Sequence, residues 1–93
     1  MLKWLKKAEL DLEKAEAYIA KDNPQAAVEV IMTIITAVER LEFFPGIGRT
    51  GRIEGTRELV VDGTPYIVPY RKHGDVIEIL RVYHAARLWP EKL

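Results

Sequence analysis

The chain has 93 residues, 48% of them apolar, with 14 basic and 14 acidic side chains and a formal net charge of +0. That length describes a single domain over residues 1–93, small enough that any surplus apolar face becomes a candidate partner surface. The lack of cysteine excludes a disulfide framework, an iron–sulfur cluster and a thiolate zinc site, and the two histidines, His73 and His84, are too few for a dedicated metal centre.

Serine is also absent, which excludes serine-nucleophile chemistry. No apolar run approaches the roughly 20 residues of a membrane span. The opening MLKWLKKAELDLEKAE carries acids too early for a signal peptide, so a soluble, cytoplasmic domain is expected. The charge types are unevenly placed: five of the seven lysines precede residue 49, and six of the seven arginines follow residue 48. Arginine makes planar, two-pronged contacts to carboxylate or phosphate, so the second half is where such contacts are sought.

Met1 to Leu5, with Leu2 and Trp4 on one side, predicts a short edge strand. From Leu5 to Ala20, the spacing of Leu5, Ala8, Leu12, Ala15 and Ile19 predicts an amphipathic helix. Asn23 then offers an N-cap and Pro24 a first helical residue, so a second helix starts here and runs to about Glu42. Its buried stripe is Ala27, Ile31, Ile34, Val38 and Leu41. Val28, Val30, Met32 and Ile35 widen the apolar face beyond one stripe, for packing on both a helix and a sheet or for a partner. The two helices form an antiparallel hairpin.

After Phe43-Phe44-Pro45-Gly46 the apolar period changes from 3.6 to 2. Three strands follow, Arg57 to Val61, Tyr66 to Arg71 and Val76 to Tyr83, joined by the turns Asp62-Gly63-Thr64-Pro65 and Lys72-His73-Gly74-Asp75. Pro69 has no N–H for the ladder, which predicts a bulge or an unpaired position opposite it. The fold class is α+β, in the order β-α-α-β-β-β: a helical hairpin packed on one face of a curved, mostly antiparallel sheet.

The stretch GRTGRIEGTREL, residues 48–59, carries three glycines and three arginines. It leads from a helix into a strand and lacks the Lys-Ser or Lys-Thr of a phosphate-binding loop, so it reads as a hinge between hairpin and sheet. Arg57, Arg71 and Arg81 fall one to a strand, with His84 and Arg87 just beyond. In simple register several of them would converge on the sheet face away from the helices. Tyr66, Tyr70 and Tyr83, close to them in sequence, offer rings that could stack on bases. The alternative is ordinary pairing of these arginines with Glu58, Asp75 and Glu78. His84 is the candidate general acid or base.

The series YIAKDNPQAA (18–27), FPGIGRTGR (44–52), GTREL (55–59), PYIVPYR (65–71) and VIEILRVYHAARLWP (76–90) resembles the RelE/ParE toxins of bacterial type II toxin–antitoxin modules. The resemblance implies a growth-inhibitory toxin neutralised by a cognate antitoxin, encoded nearby, in a hetero-oligomer with no membrane, cofactor or metal. Val28, Met32, Ile35, Arg49 and Arg52 are the candidate antitoxin contacts. ParE-like members poison DNA gyrase; RelE-like members cut mRNA on the ribosome without a metal. RelE-type nucleases tend to carry lysines on the first meander strand and an arginine after the next strand's tyrosine, where this chain has Glu58, Val60 and Ile67. Trp89 stands near the place of their C-terminal tyrosine. The resemblance therefore implies a gyrase inhibitor rather than an enzyme, with Arg57, Arg81, His84, Arg87 and Trp89 as target contacts. Under the nuclease alternative, Arg57, Arg71 and Arg81 would neutralise phosphate while His84 moves protons; a third alternative is an inactive toxin fold that only binds its antitoxin.

Overall fold

The computed structural model describes residues 1–86 together with Trp89 and Leu93. The chain begins with strand β1 (Leu2–Trp4), followed by helices α1 (Lys6–Ala20) and α2 (Pro24–Glu39). A 3-10 turn (Arg40–Glu42) extends α2, so the helical signal toward Glu42 is accounted for in two parts. The sheet continues with β2 (Arg49–Thr50), β3 (Arg57–Val60), β4 (Tyr66–His73), β5 (Val76–Ile79) and β6 (Tyr83–His84). Two helices packed on a mixed six-stranded sheet make this an α+β fold, as the periodicities predict.

Asn23 caps α2 through its side chain, which accepts the Ala26 amide at 3.0 Å, and Pro24 fills the first turn. The stripe Ala27, Ile31, Ile34, Val38 and Leu41 is buried. Ile34, Val38 and Leu41 meet Leu59, Val61, Val68, Ile77 and Ile79 of the sheet in one core. Each fully buried aliphatic side chain there contributes about 1.5–3 kcal/mol.

The strand order is β1-β5-β4-β3-β2, with β6 pairing β4 beyond the end of β5. β1 is an edge strand and runs parallel to β5, with Leu2 opposite Ile77; the other pairs are antiparallel. The third meander strand is not continuous. Tyr70 faces Ile79 and Ile67 faces Tyr83, so Val68 and Pro69 on β4 are matched by Leu80, Arg81 and Val82. That is a bulge of one residue opposite Pro69, as a strand proline demands. The Pro69 carbonyl accepts the Leu80 amide at 2.9 Å, but the proline has no N–H to return.

The bulge changes which residues face the core. Ile77 and Ile79 point at the helices, and after the extra residue it is Val82 that joins their cluster. The even alternation read from the sequence holds to Ile79 and then reverses. The glycine-rich stretch is also more than a hinge: β2 pairs with β3, Arg49 opposite Glu58 and Thr50 opposite Arg57, so it forms a small hairpin.

Candidate functional site

Among the described residues three ion-pair assemblies hold four of the arginines. In the first, Glu58 is almost wholly buried, with a side chain 3% exposed, between exposed Arg57 and buried Leu59 on β3. Its Oε1 accepts Arg49 Nε at 3.1 Å and NH2 at 2.9 Å, while Oε2 accepts the Arg52 amide at 2.9 Å and Arg52 Nε at 3.3 Å. Burial pushes the Glu58 carboxyl up, but the Arg52 amide and the two guanidinium groups outweigh it and hold the carboxyl below the usual glutamate value. Arg49 and Arg52 are half-exposed and already committed to this carboxylate.

The second assembly lies at the bulge. Asp11, on the buried side of α1, accepts Arg81 Nε at 2.7 Å, Arg81 NH2 at 3.0 Å and the Val82 amide at 3.0 Å. Asp11 raises the already high pKa of Arg81 through that paired hydrogen bond, so the guanidinium stays charged. Val82 lies between β5 and β6, where the ladder supplies no partner, and the carboxylate takes its N–H. The third assembly is exposed: Arg71 Nε donates to Glu78 at 2.6 Å across the β4–β5 pair. The arginine hydrogen bond, against a smaller opposing effect of burial, lowers the Glu78 carboxyl.

These pairings decide what the arginines can do. By register Arg57 shares the side of Tyr70 and Ile79, whereas Arg71 shares the opposite side with Glu78. Both still border one cleft at the end of the sheet, with Lys72 between the turns at Pro45-Gly46 and Gly55. Arg81 is held elsewhere, by α1. His84 lines a different cleft, of about 320 Å³, with Asp11, Lys14, Tyr18 and Tyr66. Its Nδ1 accepts the Ala86 amide at 3.1 Å, which leaves Nε2 as the proton-bearing nitrogen of the neutral ring. Arg57, Arg71, Arg81 and His84 therefore do not share one sheet face, because the bulge and the two faces of β3 and β4 separate them.

The tyrosines expected to stack on bases are in the interior. Tyr66, Tyr70 and Tyr83 are 6%, 1% and 4% exposed. Tyr70 instead pins a turn: its hydroxyl donates to the Pro45 carbonyl at 2.7 Å and accepts the Gly48 amide at 2.9 Å. Burial raises the Tyr70 pKa, opposed by the Gly48 amide and by Arg57. A Cβ at Gly48 would lie 2.5 Å from the Tyr70 hydroxyl oxygen, so glycine is what lets the ring in. Trp89 lies under the Arg52 guanidinium, 3.8 Å from ring centre to carbon, and 4.8 Å from the Tyr83 ring. Arg87 lies outside the described residues.

On the helical side, Val28 and Met32 are one turn apart on α2 and are 57% and 54% exposed. Ile35 is half-buried against the core. Met32 also borders a groove between α2 and β3 that includes Leu59, Val60 and Arg40. The half of β3 beyond Glu58 has no β2 partner, so this groove runs along an open sheet edge. Among the described residues no three His, Asp or Glu side chains group as a metal site, and no helix is long and apolar enough to cross a membrane.

Asp11 was missed from the sequence, and so was the role of Tyr70. Asp11 sits three after Ala8 and four before Ala15, on the buried stripe itself, and that spacing was the available signal. Tyr70 gave no such signal, because its partners come from a turn 22 and 25 residues away.

A helical hairpin packed on a bulged, mostly antiparallel sheet is the α+β architecture anticipated from the sequence. A family model described as "ParE toxin of type II toxin-antitoxin system, parDE" matches residues 2–89. The chain belongs to this ParE toxin family, the toxin half of type II toxin–antitoxin systems. It is 49% identical over 92 residues to "Putative toxin Y4kP" of Sinorhizobium fredii, covering 99% of this chain and 95% of the relative. It is 35% identical over 85 residues to "Toxin RelE2" of Caulobacter vibrioides, covering 91% and 94%. A solved chain titled "Chromosomal ParDE TA system from P. aeruginosa" superposes with a TM-score of 0.81 at 31% identity, covering 89% of this chain and 92% of that one.

Proposed function

We propose that this toxin arrests growth by poisoning DNA gyrase, not by cutting mRNA, and that a cognate antitoxin neutralises it by covering the α2 face. The observation that carries the choice of target is the neutralisation of four arginines. Arg49 and Arg52 are spent on Glu58, Arg71 on Glu78 and Arg81 on Asp11. A metal-independent nuclease needs cations free to meet the phosphate in the transition state, close to a proton-transfer group. Here His84 stands in a cleft that Arg57 and Arg71 do not border. The positions where RelE-type nucleases carry basic residues hold Glu58, Val60 and Ile67.

A zero net charge points the same way, since ribosomal RNA binding draws on many phosphate contacts. Val28 and Met32 support the antitoxin half of the reading: two large apolar side chains, half in solvent, on a helix whose other face is already packed. Pulse labelling after induction without antitoxin tests the target. Thymidine incorporation should collapse within minutes while methionine incorporation continues. Translation stopping first would return the chain to the RelE-like nuclease reading, and unimpaired growth would leave only antitoxin binding.

A further inference from the structure

We propose that the end of the sheet formed by Phe43, Phe44, Ile47, Arg57 and Lys72 engages the toxin's protein target, and that it fits an acidic segment flanked by an exposed apolar side chain. The proposal rests on the reading of the chain as a toxin with a protein target. Phe43, Phe44 and Ile47 are 79%, 59% and 45% exposed, a concentration of large apolar surface on one short turn.

That turn is held rigidly. The Phe43 and Phe44 amides donate to the Arg40 carbonyl at 3.2 and 2.9 Å, and Tyr70 ties both Pro45 and Gly48 to the sheet. Rings presented on a fixed backbone lose little entropy on binding, and aromatic anchors of this kind dominate protein interfaces.

Beside the rings, Pro45 and Gly46 form one wall of a cleft of about 340 Å³ whose other wall carries Arg57, Arg71 and Lys72. No carboxylate stands among its described lining residues. Arg71 is tied to Glu78; among the described residues Arg57 donates to the Gly48 carbonyl at 2.9 Å and forms no ion pair, and Lys72 has no ion-pair partner. The cleft thus carries uncompensated positive charge next to an apolar patch, which complements carboxylates beside an apolar side chain. Three cations, one of them already paired, supply too few phosphate contacts to hold nucleic acid at physiological salt. The antitoxin candidate groove shares no lining residue with this cleft. One toxin therefore has separate surfaces for the two protein partners.

The variants F43A/F44A and K72E are to be expressed without antitoxin, beside wild type, with survivors counted by plating. The same full-length proteins are to be tested for antitoxin binding, melting temperature and binding of a fluorescent single-stranded oligonucleotide. Both variants should lose killing by about 100-fold, the scale of a lost interface anchor, with melting and antitoxin affinity unchanged. Variants as lethal as a lethal wild type would overturn this surface alone. Loss of antitoxin binding along with killing would assign the patch to the antitoxin and overturn the proposal. Tight oligonucleotide binding abolished by K72E would overturn it in favour of nucleic acid. A harmless wild type would remove the target itself, and a wild type that stops translation first would refute the choice of gyrase while the variants still report on this surface.

Discussion

Arg81 grips Asp11 through two parallel hydrogen bonds, Nε to Oδ2 at 2.7 Å and NH2 to Oδ1 at 3.0 Å, between residues 70 apart in the chain. The pair ties the bulge opposite Pro69 to α1, and the same carboxylate takes the Val82 amide. Arg81 therefore holds the fold together before it can do anything at a surface. The side chains are only 22% and 8% exposed, so removing one partner strands the other.

Asp11→Ala should cost about 3 kcal/mol, the usual penalty for breaking a buried pair from one side. For a domain of this size that lowers the melting temperature by roughly 12 °C or more. Arg81→Lys should also destabilise, since an ammonium cannot make the fork. Calorimetry on both variants checks this. An Arg81 variant that melts like wild type but no longer kills would return Arg81 to the target surface.

Tyr70→Phe should lose about 1–3 kcal/mol, because the Pro45 carbonyl and the Gly48 amide would be left without the hydroxyl. Gly48→Ala should be worse, as its Cβ would fall 2.6 Å from a ring carbon of Tyr70. Chemical denaturation gives both values, and amide exchange at Gly48 should speed up in Tyr70→Phe. Equal exchange in wild type and variant would mean that the hydroxyl does not pin the turn.

Glu58 gives a pH dependence with a definite sign. Its folded-state pKa lies below the ordinary value, so the charged group contributes stability at neutral pH. That contribution is full above the unfolded value of about 4.3 and is lost as pH falls toward the depressed folded one. Measured against Glu58→Gln, the stability difference should be flat from about pH 8 to pH 5 and shrink below about pH 4.3. A difference that stays constant through that acid range would show that the two arginines do not favour the charged form.

Much of the fold was legible because its signals are local. The cap at Asn23, the stripe from Ala27 to Leu41 and the two meander turns depend on residues within a few positions of one another. Pro69 announced the bulge by its missing N–H. The faces could not be read past it, because the one extra residue puts Val82, and not residue 81, in line with the core positions Ile77 and Ile79, and no local rule says on which residue the extra one falls. The pairing of Glu58 and Glu78 with arginines was foreseen as an alternative to convergence, but the partners at Glu58 come from Arg49 and Arg52, in the stretch taken for a hinge. Asp11 was passed over because a carboxylate on a charged helix normally faces water.

Val28 and Met32 supply the test of the antitoxin face. Both are more than half exposed and one helical turn apart, so V28E/M32E removes no core contact and should change stability by less than about 0.5 kcal/mol. If the antitoxin covers this face, two carboxylates would be carried into an apolar interface without partners. Binding should then weaken by at least about 100-fold, near 2.7 kcal/mol, within the cost of burying unpaired polar groups. Titration calorimetry with the cognate antitoxin reads the affinity, and co-expression reads the consequence: cells that survive wild-type toxin with antitoxin should stop growing with the variant. Affinity unchanged by the two glutamates would place the antitoxin elsewhere, and Arg49 and Arg52, each half-exposed beside Glu58, would be the next residues to reverse.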